Sequence, residues 1–125
     1  MQQNNNLNNF TPLVDTIVDS MDNLKAEKIT ILDLRDLENS VTDFFVICQG
    51  KSNTQVNAIS NAIEKNVREK LSDKPWHVEG RDNSEWVLMD YVNTVAHIFQ
   101  PDKREFYDIE SLWGDAKEIK IEASY

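Results

Sequence analysis

The sequence predicts an α/β domain in which helices pack on a β-sheet. Residues 44–48, FFVIC, are apolar without alternation, which is typical of a central strand that is covered on both faces. A short turn follows, and residues 53–71 then place their apolar side chains on one stripe of a helix. The length of 125 residues suits one domain with one packed core.

The N-terminal part of the chain predicts a tail, a helix and a strand. Residues 1–10 are rich in Asn and Gln and poor in apolar side chains, so we expect them to be disordered. Thr11 before Pro12 predicts a helix start with Thr11 as the N-cap, and the apolar stripe of this helix continues to near Lys28. Residues 29–34 are β-branched and apolar, as in a strand.

The helix over residues 53–71 has a start signal of its own. Ser52 is a suitable N-cap residue, and Gln55 stands three positions later, which is the spacing of a capping box. We take the domain as residues 11–116, followed by a C-terminal tail over 117–125.

The second half of the chain predicts a hairpin and a last helix. Residues 76–79 alternate as a half-exposed strand does, and residues 86–91 and 94–99 form two strands joined by a tight turn. Pro101 then opens a helix, and Gly114 is a natural stop. Four apolar side chains are predicted on one face of this helix: Phe106, Ile109, Leu112 and Trp113.

The net charge of −9 is distributed unevenly. Residues 79–115 hold nine acidic and three basic side chains, together with two of the three tryptophans. Aromatic side chains among carboxylates suit a surface that binds a basic protein. They disfavour direct binding of nucleic acid, because phosphates repel carboxylates. Solubility alone is the alternative explanation of the acidity.

Cysteine content and hydropathy indicate a cytoplasmic protein. Cys48 is the only cysteine and lies within an apolar run, so we interpret it as a core residue. No apolar run reaches the length of a membrane span, and the N-terminus lacks the basic start of a secretion signal. We therefore expect no membrane association.

A phosphate-binding loop is one candidate site. Gly50, Lys51 and Ser52 lie between a strand and a helix, but the motif needs another glycine five residues before Gly50, where Phe45 stands. The simpler interpretation is a strand exit and a helix cap. A nucleotide-handling enzyme with a degenerate phosphate loop stays open as an alternative.

A metal site has weaker support. His77, Glu79, Asp90 and His97 could be combined on paper, but their spacing matches no established ligand pattern. We expect His97 to be a partly buried, hydrogen-bonded histidine and His77 to be exposed. No cofactor or metal is predicted, and no pair of carboxylates is spaced for catalysis.

The aromatic residues carry the remaining signal. Alternation places Trp86 and Leu88 on one face of their strand and Val87 and Met89 on the other. Trp86 is therefore either core or an interface anchor beside acidic neighbours. Tyr91, at the hairpin tip, is expected to reach solvent.

Three blocks in order resemble the Iojap-related ribosomal silencing factors. They are TDFFVICQGKSNTQVNAI, VEGRDNSEWVLMDY and VAHIFQPDKREFYDIESLWGDA. The resemblance implies a mixed β-sheet with helices packed on it, similar to the nucleotidyltransferase fold, and no catalytic activity. It also implies binding to the large ribosomal subunit through the fourteenth large-subunit protein, which is basic, so that joining of the small subunit is blocked. A role in large-subunit assembly and a homodimer stay open as alternatives.

The resemblance also suggests which residues contact the partner. The tryptophan of the family's acid-Trp strand matches Trp86, and a residue of the following turn matches Tyr91. We extend the predicted patch to Leu88, Asp90 and Gln100. The turn departs from the family pattern, because residues 92–94 are Val-Asn-Thr where many members have Gly and an acid.

Overall fold

The computed structural model describes residues 10–125 and contains one mixed β-sheet. The strands are β1 (Glu27–Asp33), β2 (Phe44–Gln49), β3 (His77–Glu79), β4 (Trp86–Asp90), β5 (Thr94–Phe99) and β6 (Lys117–Lys120), in the order β3-β4-β5-β2-β1-β6. Only the neighbours β2 and β5 run parallel, and the other pairs are antiparallel. The predicted α/β class with a mixed sheet is confirmed, and so is the central position of β2.

The helices begin where their cap residues predict. They are α1 (Pro12–Asn23), α2 (Asn53–Leu71), α3 (Pro101–Tyr107) and the single turn α4 (Ile109–Leu112). The Thr11 side chain accepts a hydrogen bond from the backbone N–H of Val14 at 3.1 Å. Ser52 accepts from the N–H of Gln55 at 3.1 Å, and the Gln55 side chain accepts in turn from the N–H of Lys51. Helix α1 ends before the predicted limit near Lys28, because Lys25 adopts a left-handed conformation.

The larger part of the core lies between one face of the sheet and the helices α1 and α2. Alternate residues of the strands point to this face, including Val46, Val87 and Met89, each fully buried. Cys48 belongs to the same cluster, and burial raises the pKa of its thiol. The interpretation of Cys48 as a core residue is confirmed.

The other face of the sheet is covered only in part, by α3, α4 and the segment up to Ala116. A smaller apolar cluster forms there around Leu32, Ile47, Phe99 and Ile109. On the rest of this face, Tyr107 of α3 contacts Trp86 of β4, and Leu88 and Asp90 of the same strand stay partly exposed. The sheet therefore has one closed face and one that is partly open.

The last helix was predicted as continuous, and that prediction is wrong, because the structure divides it into α3 and α4. Asp108 adopts a left-handed conformation with φ 46°, which Asp tolerates better than most residues, and this ends α3 after seven residues. The break rotates the following turn, so the four apolar side chains do not share a buried face. Ile109 is buried, whereas Phe106 and Leu112 are each 76% exposed.

The predicted limits of the domain also need correction at the C-terminus. Residues 117–120 form β6, which pairs with β1 at the edge of the sheet. Ile119 and Ile121 pack against the larger core, and alternation of these two side chains was the sequence signal for the strand. The predicted N-terminal tail lies outside the described residues except for Phe10, whose ring packs edge-on against Phe44. Within residues 10–125, no helix has the length and apolar character that crossing a membrane requires.

Candidate protein-docking surface

Strand β4 presents the predicted contact residues to the partly open face of the sheet. Val87 and Met89 point towards α2 and are fully buried, so alternation turns Trp86, Leu88 and Asp90 to the opposite face. All three are partly exposed. Trp86 is thus neither sealed in the core nor free in solvent. Its partial exposure rules out a fully buried core position and leaves its role as an interface anchor a prediction.

The Trp86 indole is held by aromatic neighbours. It stacks on Phe99 with ring centroids 4.8 Å apart and an angle of 24° between the rings. The ring of Tyr107 on α3 also contacts the indole, with the two ring centroids 4.8 Å apart and an angle of 43° between the rings. Because Trp86 pairs with Phe99 in the register of β4 and β5, the strand pairing itself brings the two rings together.

The polar atom of the indole has a defined partner. The Nε1–H of Trp86 donates a hydrogen bond of 3.1 Å to Nδ1 of His97. His97 is 4% exposed, and burial lowers its pKa to about 3, so the ring is neutral at physiological pH. Since Nδ1 is the acceptor, the ring proton lies on Nε2. The predicted hydrogen bond of His97 is confirmed, and its ring is buried more deeply than the partly buried position that was predicted.

Tyr91 does not join the predicted contact patch, and the expectation that it reaches solvent is wrong. It follows the alternation of Val87 and Met89, lies on the closed face and is 6% exposed. Burial raises the pKa of its hydroxyl, which has no hydrogen-bond partner among the described residues. The residues that reach solvent at the hairpin tip are Val92, with φ 77°, and Asn93.

The two polar residues of the predicted patch stabilise turns. The Asp90 carboxylate accepts a hydrogen bond of 2.7 Å from the N–H of Val92. The Gln100 side chain donates to the backbone carbonyl of Ser84 at 3.3 Å. Asp90 lies at the hairpin tip and Gln100 at the open end of the hairpin, so Trp86 and Leu88 form the middle of the patch.

Helix α3 adds an exposed aromatic surface that sequence reasoning missed. Tyr107, which contacts Trp86, is 46% exposed, and Phe106 packs edge-on against it at 5.0 Å. We call Trp86, Tyr107 and Phe106 the aromatic ridge. The helical spacing had assigned Phe106 to a buried face, and only the break at Asp108 exposes it.

Exposed acidic side chains lie on the same helix as two residues of the aromatic ridge. They are Asp102, Glu105 and Asp108, of which Glu105 and Asp108 also line the cleft between α3, β1 and β6. Glu85, next to Trp86, pairs loosely with Lys103 at 3.7 Å, a contact in a partly exposed position that contributes little to stability. Exposed aromatic side chains with carboxylates on the same helix have a composition that suits a basic protein partner.

The other candidate sites have structural explanations. Ser52 caps α2, and Lys51 pairs with Glu27 at 3.4 Å. His77 is exposed on the edge strand, as predicted, and its Nε2 lies 2.6 Å from Glu79. Among residues 10–125, no group of three or more His, Cys, Asp or Glu side chains is arranged to hold a metal ion.

A cleft of about 680 Å³ lies between α3, β1 and β6. Arg104 lies at its inner wall and is 9% exposed. Each of the guanidinium's five N–H donors has an acceptor in the protein, so it has no donor left for a ligand. We assign Arg104 a structural role, which is to fasten α3 and α4 to the sheet.

Comparison with known proteins assigns the family. The family model "Ribosomal silencing factor during starvation" matches residues 7–124. A ribosomal silencing factor of Halalkalibacterium halodurans is 36% identical over 110 residues, which cover 88% of this chain and 92% of that protein. A crystal structure of a Chromobacterium violaceum protein, 31% identical, superposes with a TM-score of 0.77 over 90% of this chain and 92% of that one.

An organellar relative carries a different name. A mouse protein named mitochondrial assembly of ribosomal large subunit protein 1 is 29% identical over 80% of this chain, and the match spans 44% of its own length. The family is named for silencing rather than for a reaction. From the family model and the bacterial relative together, we conclude that this chain belongs to the family of ribosomal silencing factors.

Proposed function

We propose that the protein silences translation by binding the large ribosomal subunit and blocking the joining of the small subunit. Its partner on the large subunit is the fourteenth large-subunit protein, which is basic. The observation that carries the proposal is the partly exposed Trp86, which continues into Tyr107 and Phe106 on the open side of the sheet. Family membership supports the ribosome as the site of action.

The chemistry of this surface fits a basic protein. Tryptophan and tyrosine are the side chains that most often dominate the free energy of a protein interface. The exposed acids Asp102, Glu105 and Asp108 would attract a positively charged partner and raise the association rate. The same charges would repel ribosomal RNA, so we propose no direct nucleic-acid contact at this face.

Steric blocking needs no catalysis. A specific protein complex buries roughly 1,600 Å² in total, which a domain of this size can provide. The cap role of Ser52 and the absence of a glycine-rich arc before it give no support to the nucleotide-handling alternative. We therefore propose a binding protein without a cofactor, which acts in the cytoplasm beside its partner.

Large-subunit assembly is the second candidate function. The name of the mouse relative supports it. An assembly factor could use the same docking surface and would differ in when it binds. Depletion of the protein separates the two roles, since loss of an assembly factor leaves immature large subunits, whereas loss of a silencer leaves mature subunits that join too readily in starved cells.

Sedimentation of separated subunits tests the proposal directly. Excess protein should shift particles from joined ribosomes to free subunits, and the protein should sediment with the large subunit only. Leu88→Ala should weaken this effect, whereas Trp76→Ala is the control, because Trp76 is 76% exposed and lies outside the aromatic ridge. Undiminished subunit joining at saturating protein would refute the silencing function. Sedimentation of the free protein decides whether it forms a homodimer.

A further inference from the structure

His97 occupies the centre of the open half of the sheet without being part of the exposed surface. It lies opposite Leu88 in the register of β4 and β5. Trp86, Phe45 and Phe99 surround its ring with centroid distances of 5.9, 4.6 and 6.1 Å. Its one hydrogen bond among the described residues is the one that Nδ1 accepts from Trp86, while Nε2 is buried and has no partner there.

Burying an imidazole in this way is unfavourable unless the residue contributes something that an apolar side chain would not. A phenylalanine, although its ring is larger, would leave no unpaired N–H in the core. What histidine adds is an acceptor at Nδ1, and that acceptor is used by the only polar atom of Trp86. The unpaired Nε2 is the cost of keeping this acceptor in place.

We propose that His97 is a positioning residue for docking, which holds the Trp86 indole flat on Phe99 so that its outer surface meets the partner beside Tyr107. This inference rests on the proposed function and names the residue that orients Trp86, the central side chain of the proposed docking surface. Without the acceptor, the indole N–H would have to find water, and the ring would swing away from the sheet. Binding would then include the cost of ordering that ring again.

The acceptor stays available because the ring is neutral. The rings that pack around His97 are those of Trp86, Phe45 and Phe99, with Trp113 behind Phe45, and its cross-strand neighbours are Ile47 and Leu88. None of these side chains carries a charge. Burial among these groups lowers the pKa of His97 to about 3. Protonation, which would convert Nδ1 from an acceptor into a donor, therefore does not occur near pH 7.

Two substitutions separate positioning from packing. His97→Phe keeps an aromatic ring and removes the acceptor, whereas His97→Asn offers an amide oxygen close to the position of Nδ1. In ¹⁵N-labelled protein, the indole N–H of Trp86 should exchange slowly with solvent in the wild type and in His97→Asn, and rapidly in His97→Phe. The indole of Trp76, which is 76% exposed, serves as the fast-exchanging control in the same spectrum.

The affinity for the large subunit should fall in the variant whose Trp86 indole N–H exchanges rapidly. We expect about tenfold weaker binding for His97→Phe, which corresponds to the loss of one hydrogen bond, and substantial recovery for His97→Asn. Unchanged affinity of a folded His97→Phe variant would overturn the inference. So would a Trp86 indole in the wild type that exchanges as fast as that of Trp76, a result that needs no variant to fold. If the wild-type protein binds no large subunit at all, the proposed function fails, whereas the exchange experiment still tests whether His97 positions Trp86.

Discussion

Replacing Arg104 by Met should show how strongly the short helices depend on one side chain. The guanidinium donates to both carboxylate oxygens of Glu110, at 3.1 and 2.9 Å. It also donates to the carbonyl of Lys28 at 2.8 Å and to the side chains of Gln49 and Thr30. Because these acceptors lie on β1, β2 and α4, Arg104 joins both short helices to the sheet.

The expected loss follows from the burial of this ion pair. The Arg104 side chain is 10% exposed and that of Glu110 is 24% exposed. Removing one partner of a buried ion pair costs about 3–5 kcal/mol, and the partial exposure of Glu110 places this case near the lower limit, about 3 kcal/mol. Since small domains have free energies of unfolding of roughly 5–15 kcal/mol, the change is a large fraction of the total.

Arg35→Met is a matched control. Arg35 makes the same two-point contact with a carboxylate, donating to Asp33 at 2.9 and 2.8 Å, but its side chain is 48% exposed. Its guanidinium also lies 4.8 Å from the centre of the Phe44 ring. An exposed pair with such a contact contributes about 1 kcal/mol. Urea denaturation of both variants measures the difference, and equal losses, or a loss below about 1 kcal/mol for Arg104→Met, would refute the reasoning.

Three further predictions concern single side chains around the sheet. Gly80→Ala should lower the free energy of unfolding, measured by urea denaturation, by at least about 3 kcal/mol. The φ angle of Gly80 is +92°, and an added Cβ would lie 2.0 Å from the Trp86 carbonyl oxygen. Gly114→Ala, whose nearest contact is 3.4 Å, is the control, and equal losses would contradict the prediction. Tyr91→Phe should leave sedimentation with the large subunit unchanged. It should raise the free energy of unfolding by up to about 1 kcal/mol, since it removes a buried hydroxyl that has no partner among the described residues. Weaker binding by this variant would show that Tyr91 contributes to docking. Burial lowers the pKa of His97 from 6.5 to about 3, so the unfolded chain binds more protons than the folded one between these values, and stability is lost as the pH falls through that range. Urea denaturation should show a loss of about 2 kcal/mol between pH 7 and pH 5 in the wild type that is missing in His97→Phe, and identical pH dependence in the two proteins would contradict it.

Elements specified by local chemistry could be predicted from the sequence. The helix Asn53–Leu71 was predicted over residues 53–71, because Ser52 and Gln55 define its start and its apolar stripe is continuous. The central strand was predicted because it lacks alternation, which requires cover on both faces. In both cases the signal lies within a few neighbouring residues.

Features that depend on one backbone angle or on a distant strand could not be predicted in this way. The left-handed conformation of Asp108 decides whether Phe106 is buried, and an Asp-Ile sequence does not specify that angle. The position of Tyr91 was misjudged because its place at the hairpin tip was given more weight than its alternation with Met89. Strand β6 was missed because its local signal is only the alternation of Ile119 and Ile121, and its partner β1 lies about 90 residues earlier in the chain.

The same contacts that bury part of Trp86 would also suit it to the docking role that we propose. A fully exposed tryptophan would have to lose conformational freedom on binding, whereas this indole already has Phe99 beneath it, Tyr107 beside it and His97 on its nitrogen. For that reason, truncation of Trp86 removes support from the fold and contact from the interface at once, and loss of binding by that variant alone cannot distinguish the two. Leu88, partly exposed on the same strand, separates them, because its truncation would remove interface area while the indole keeps its contacts with Phe99, Tyr107 and His97.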